Sequence, residues 1–243
     1  LNSNCLAFKK FQELRGPIID IRSPKEYVQG HWPGAKNLPL FSNKERELIG
    51  TIYKKKGSDQ ATLIGLKLII PKISILYNKL KTIFKDSRKE ATPIEKYYLR
   101  IYCWRGGMRS KSLVWLTNLL GLNSVQLEGG YKSYRKWVIS QFEKEWPIKL
   151  IGGKTGVGKT DILLSLKKQD LSILDLEGLA NHRGSSFGAV GLNPQPTSEH
   201  YENTIAESLK NCSKNPDKNI WIEDESGNLG KCRVPKGLLH RMK

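Results

Sequence analysis

The sequence predicts two successive α/β domains, each built on a parallel sheet. Three observations lead to that expectation. Short apolar strands alternate with helix-length stretches along most of the 243 residues. Two of the strands run directly into glycine-rich loops that open helices, at Cys103–Ser110 and Gly153–Thr160. Pro147 falls between these two strand–loop–helix units and marks the expected boundary, giving domains of 1–144 and 147–243.

In the first domain, Pro17–Ile21 is a short apolar strand carrying Asp20 near its end. Ser23-Pro24-Lys25-Glu26 then opens a helix, with Ser23 as cap, Pro24 at the first helical position and Glu26 three residues on. Residues 30–39 have turn chemistry around a short strand. Residues 43–95 form a basic, mostly helical insertion, with interruptions expected near Gly57-Ser58-Asp59 and at Pro71. Leu99–Cys103 is the next strand, Arg109–Leu120 a helix, and Ser124–Leu127 a strand; Gly129-Gly130-Tyr131 leads into a helix through Lys144. The second domain reads as strand Ile148–Ile151, helix Lys159–Lys168, strand Ser172–Leu176, a helix near Glu199–Leu209 and strand Ile220–Ile222. About 95 residues after Pro147 are few for a nucleotide-binding domain of this kind, so that domain is expected to be partial. The start at Leu1 and the abrupt end at His240–Lys243 fit a fragment of a longer chain.

Composition narrows the partners. Lys and Arg number 41 against 23 Asp and Glu, a formal charge of +18, which exceeds what solubility requires and favours a polyanion. Residues 44–100 hold 14 Lys/Arg and 6 Asp/Glu and are the best candidate for its contact surface. The four cysteines show neither CxxC pairs nor metal spacing, which argues against structural zinc and against a disulfide scaffold. No signal peptide is visible, and the apolar stretch Leu63–Leu80 is broken by Lys67, Pro71 and Lys72, so no membrane partner is expected and the setting reads as cytoplasmic.

The chemistry concentrates in the two loops. Cys103 heads a strand-to-helix turn in which backbone N–H groups form an anion nest, and the helix terminus with Arg105 and Arg109 favours a thiolate. Gly106 and Gly107 let that turn close. The plainer alternative is a buried core cysteine. Gly153-Lys154-Thr155-Gly156-Val157-Gly158-Lys159-Thr160 fills every fixed position of a phosphate-binding loop. Lys159 would reach phosphate oxygens and Thr160 would hold Mg²⁺. The acidic metal partner is open between Asp175 and the run Glu223-Asp224-Glu225, where Asp224 is the choice taken; either could instead be a solvated strand end. His182 and Arg183 are candidates to clamp a phosphate or a base, unless they form an ordinary basic turn.

The spacing from Cys103 to Arg109, together with Asp20-Ile21-Arg22-Ser23-Pro24, Gly30-His31-Trp32-Pro33-Gly34-Ala35 and Leu127-Glu128-Gly129-Gly130-Tyr131, resembles the rhodanese family. The resemblance implies a rhodanese-like parallel-sheet domain, a transferable sulfur or selenium atom on Cys103, and Asp20 and Arg22 as supporting charges rather than nucleophiles, with Asp20 alternatively a cap or brace of the loop. Joined to a partial P-loop NTPase-like α/β domain that carries the stretch Asp175–Gly188, the chain resembles the bacterial tRNA 2-selenouridine synthases. Gly57-Ser58-Asp59 and Glu223-Asp224-Glu225-Ser226 add to that likeness.

What this second resemblance implies is a two-step change at the wobble uridine of tRNA. The 2-thiouridine would be S-geranylated from geranyl diphosphate, and selenium from selenophosphate would then replace the geranylthio group. The diphosphate would occupy the phosphate loop as plausibly as ATP does. Basic surface would hold the anticodon arm, and a transient contact with a selenophosphate-producing enzyme belongs to the same expectation. Two alternatives stand beside it: an ATP-dependent tRNA sulfurtransferase, and a nucleotide-regulated RNA-binding module without catalysis.

Overall fold

In the computed structural model the described residues are 4–88, 96–154, 157–185, 187–215, 219–224 and 227–242. They divide into two compact units, 1–134 and 135–243.

The first unit opens with strand β1 (Cys5–Leu6) and helix α1 (Phe8–Glu13). Strand β2 (Ile18–Asp20) is buried throughout and leads into α2 (Pro24–Gln29). That helix starts where the sequence places it. Ser23 accepts from the Glu26 N–H while the Glu26 carboxylate accepts from the Ser23 N–H, a reciprocal cap that contributes about 1 kcal/mol. The two-residue strand β3 (Lys36–Asn37) follows.

The insertion is α3 (Asn43–Ile69), a single 3₁₀ turn at Ile70–Lys72, and α4 (Ile73–Arg88). Both sequence breaks materialise: Gly57 leaves helical geometry at φ 84°, and Pro71 sits in the 3₁₀ turn. By length and composition alone the stretch 43–88 could cross a membrane, with a best-window mean hydropathy of 1.3 and 17% of that window buried. Its inner face, however, packs into the domain core through Leu76, Leu80 and Phe84.

Strand β4 (Leu99–Tyr102), helix α5 (Met108–Leu119), strand β5 (Ser124–Leu127) and helix α6 (Gly130–Gln141) complete the unit, whose limit falls inside α6. The helix ends three residues before the expected Lys144, and the Trp146 indole donates to the Gln141 carbonyl at 2.7 Å just beyond it. The five strands are parallel in the order β1–β5–β4–β2–β3. Asp20 lies opposite Tyr102 in this register, so the end of β2 and the start of the cysteine loop share one edge of the sheet.

In the second unit, β6 (Ile148–Ile151), α7 (Lys159–Lys168), β7 (Ser172–Leu174), α8 (Leu176–Ala180), α9 (Ser198–Cys212) and β8 (Ile220–Glu223) form a second α/β layer. The sheet order is β6–β8–β7, again parallel. Tyr201, Ile205, Ala206 and Leu209 of α9 are fully buried. A small hairpin of β9 (Asn228–Leu229) and β10 (Cys232–Arg233) precedes α10 (Lys236–Arg241).

Candidate functional site

The cysteine loop joins β4 to α5, so Cys103 sits at the N-terminal end of a twelve-residue helix. There the unsatisfied N–H groups and the helix dipole favour an anion. Cys103 is 2% exposed, and its sulfur lies 3.1 Å from the Ser110 hydroxyl one helical turn into α5. The loop is locked to the following segment by backbone bonds: Tyr131 N–H donates to the Cys103 carbonyl at 2.8 Å, and Lys132 N–H to the Trp104 carbonyl at 3.1 Å. Gly106, at φ 63°, packs against the backbone of Leu127 and Gly129 so closely that any Cβ would collide. The Gln126 amide donates to its carbonyl from β5.

Behind the loop lies a buried charge network. Asp20 and Arg22 are both fully buried and joined side to side, with Arg22 Nη2 to Asp20 Oδ2 at 2.6 Å and Nε to Oδ1 at 3.0 Å. Tyr102 donates its hydroxyl to the same carboxylate at 2.8 Å. Burial pushes the Tyr102 phenol well above its ordinary range, and the Asp20 charge adds to that. For Arg22, burial works against the charged form, but the hydrogen bonds and charge of Asp20 outweigh it and raise the guanidinium above its usual value. Arg22 Nη1 has no hydrogen-bond partner among the described residues; the guanidinium instead lies 3.7 Å over the Tyr131 ring and 5.6 Å from that of Trp104. Asp20 is therefore enclosed behind the loop, with its carboxylate taken up by Arg22 and Tyr102. Arg105 is exposed, and Arg109 reaches Glu26 at 3.9 Å, which ties the first turn of α5 to α2.

The phosphate loop occupies the equivalent place after β6. Gly158 adopts a left-handed φ of 85° directly before α7, and Lys159 Nζ donates to the Gly153 carbonyl at 3.1 Å. Gly156 lies outside the described residues. The Thr160 hydroxyl, in the first turn of α7, donates to Glu223 Oε2 at 3.3 Å from the end of β8. Glu223 is 3% exposed.

Two family descriptions match the chain in tandem: "Rhodanese-like domain" over residues 7–136 and "tRNA 2-selenouridine synthase AAA domain" over residues 146–243. The tRNA 2-selenouridine synthase of Hydrogenovibrio crunogenus is 38% identical over 90% of this chain and 60% of its own length. That of Shewanella sediminis is 38% identical over 95% of this chain and 60% of its own. The chain belongs to the tRNA 2-selenouridine synthase family. It spans about 60% of the length of these curated relatives. Among solved structures, the N-terminal domain of a protein from Clostridium difficile 630 is 36% identical over 55% of this chain and 98% of its own, with a TM-score of 0.48.

Within this family frame the remaining candidates separate. Asp175 spends a carboxylate oxygen on the Gly178 N–H at 2.7 Å and caps α8, and Asp224 is exposed. The acid brought to Thr160 is their neighbour Glu223, so Thr160 and Glu223 are the pair with oxygen chemistry suited to Mg²⁺ beside a bound diphosphate. Cations of this kind are held by one or two protein oxygens plus phosphates. His182 is buried, and its Nδ1 accepts from the Gly184 N–H at 3.1 Å. It braces its own loop, whereas the Arg183 side chain is exposed and open to an anion.

Ser110, Arg22 and Tyr131 carry the first site's geometry; all three lie in segments the sequence singles out, but their contacts with Cys103, Asp20 and one another are set by the fold.

Proposed function

We propose that the chain carries out both steps of wobble 2-thiouridine to 2-selenouridine conversion in tRNA, with prenylation assigned to the phosphate loop and selenium entry to Cys103. The observation that supports this most is a single chain holding an enclosed cysteine at a helix N-terminus and a phosphate loop with its Thr–Glu pair. In the first step the thiocarbonyl sulfur of 2-thiouridine attacks C1 of geranyl diphosphate, the C–O bond breaks, pyrophosphate leaves and the N3 proton of the base passes to solvent. Lys159, the loop N–H groups and Thr160 stabilise the charge that grows on the departing diphosphate. Mg²⁺, held by Thr160 and Glu223, supplies further neutralisation when bound. In the second step selenium from selenophosphate replaces geranylthiolate at C2. Geranylthiolate leaves as the thiol and water releases phosphate, so no oxidant or reductant is required. Cys103 serves this step through a Cys-bound intermediate: its sulfur adds to C2 as geranylthiol leaves, the selenium of selenophosphate then displaces the Cys103 thiol from C2, and the helix end and Arg105 favour the attacking sulfur. The basic stretch 44–100 holds the anticodon arm by phosphate contacts, and the reaction is assigned to the cytoplasm.

The test incubates the chain with 2-thiouridine-containing tRNA, Mg²⁺, geranyl diphosphate and selenophosphate, followed by mass spectrometry of digested nucleosides. A geranylated wobble uridine followed by a selenium-containing one is expected. Incorporation of labelled sulfur from thiosulfate without geranyl diphosphate would overturn the reading in favour of a sulfurtransferase.

A further inference from the structure

The first unit contains a groove of about 1310 Å³ that starts at Cys103 and runs between α5 and the inserted helix α3. Its walls include Phe41, Ile49, Leu66 and Ile69 on one side and Met108 and Trp115 on the other. Several of these face solvent to a degree unusual for large apolar groups, with Leu66 50%, Met108 60% and Trp115 62% exposed. Cations stand along the same cavity: Lys44, Arg46, Lys54, Arg105 and Arg109. A greasy trough edged with positive charge and ending at a cysteine calls for a ligand that is apolar in one part and polyanionic in another.

We infer that this groove holds the isoprenoid tail of the S-geranylated uridine while its C2 faces Cys103 and the RNA backbone lies along the cationic edge. The inference rests on the two-step reading above and deepens it. In the selenium step the sulfur that leaves C2 carries the tail, so the tail begins only two bonds from the reacting carbon. Polar walls there would leave the tail in water. The groove instead removes its apolar surface from solvent. The cavity exceeds the roughly 300–1,000 Å³ of an ordinary small-ligand site, leaving room for the base with its substituent. The helical insertion thereby becomes the element that distinguishes geranylated from ungeranylated RNA.

The test compares binding of two synthetic anticodon stem-loops, one with S-geranyl-2-thiouridine and one with 2-thiouridine at the same position, by fluorescence anisotropy. The chain should prefer the geranylated RNA by about tenfold or more. Leu66→Asp, at a half-exposed position, should abolish that preference and leave affinity for the 2-thiouridine RNA unchanged within about twofold. Tyr53→Ala, which removes a second exposed wall residue, should reduce it and serves if Leu66→Asp does not fold. Equal affinity for both RNAs, or a preference that survives both substitutions, would overturn the inference. So would a Leu66→Asp chain that loses geranyl diphosphate binding instead, because the groove would then serve the donor. Formation of geranylated nucleoside by the unmodified chain is scored separately. Its presence without any tail preference removes only the groove assignment, and its absence counts against the two-step reading.

Discussion

The two loops have the same architecture, a parallel strand feeding a helix through glycines, yet they are held in opposite ways. The cysteine loop rests on a buried ion pair, a buried phenol and the tilted ring pair of Tyr131 and Trp104, and its first residue is 2% exposed. Around the phosphate loop, Gly152, Gly153 and Lys154 are exposed, and its side-chain ties include Lys159 to Gly153 and Thr160 to Glu223. The first site is finished before any ligand arrives. The second lies open to solvent at its glycine turn. A nucleophile benefits from a fixed, water-poor position, whereas a phosphate cradle works through donors left available for the ligand.

That contrast can be broken from the enclosed side with the largest effect. Asp20→Asn leaves Arg22 buried without its counter-charge and should cost about 3–5 kcal/mol, enough to unfold a marginal domain. Urea denaturation would measure it, and a loss below about 1 kcal/mol would show that the pair does not hold the loop. On the open side, Glu223→Gln should leave the fold standing but raise the Mg²⁺ concentration needed for half-maximal geranylation by about tenfold. An unchanged Mg²⁺ titration would remove Glu223 from the metal site.

A smaller effect concerns His31, stacked 3.7 Å from Tyr27, with Nδ1 donating to the Tyr27 carbonyl at 2.9 Å. Burial lowers its pKa below the ordinary imidazole value of about 6.5. The unfolded chain therefore takes up the proton first as pH falls. The stability that the neutral ring contributes is full above about pH 6.5 and declines below it, until the lower folded-state pKa is passed. His31→Gln should flatten this part of the stability–pH curve; a curve that keeps its slope would place the titrating group elsewhere.

Much of this was legible in the sequence because it is local. The reciprocal cap of Ser23 and Glu26, the break at Gly57, the turn at Pro71 and both strand–loop–helix units each depend on residues a few positions apart. What escaped is set by tertiary pairing. Strand β1 has two residues and no period, and exists because Cys5 and Leu6 pair with Gln126 and Leu127. Arginine is rarely fully buried, so the burial of Arg22 follows only from the aromatic residues that close over it. Among Glu223 and Asp224, neighbours on an extended chain point to opposite sides, and only the packing of β8 beside α7 decides which one meets Thr160. The helical insertion reads as basic and mostly helical; the groove it forms with α5 requires both elements in place.

The most direct test compares Cys103→Ser and Lys159→Ala chains side by side, quantifying geranylated and selenium-containing wobble uridine by mass spectrometry. The division of labour predicts that Cys103→Ser accumulates the geranylated nucleoside and makes no selenouridine. Lys159→Ala should lose geranylation by about a hundredfold or more, yet still insert selenium when supplied with RNA already geranylated. A folded Cys103→Ser chain that makes neither product, or a Lys159→Ala chain that geranylates normally, would contradict it.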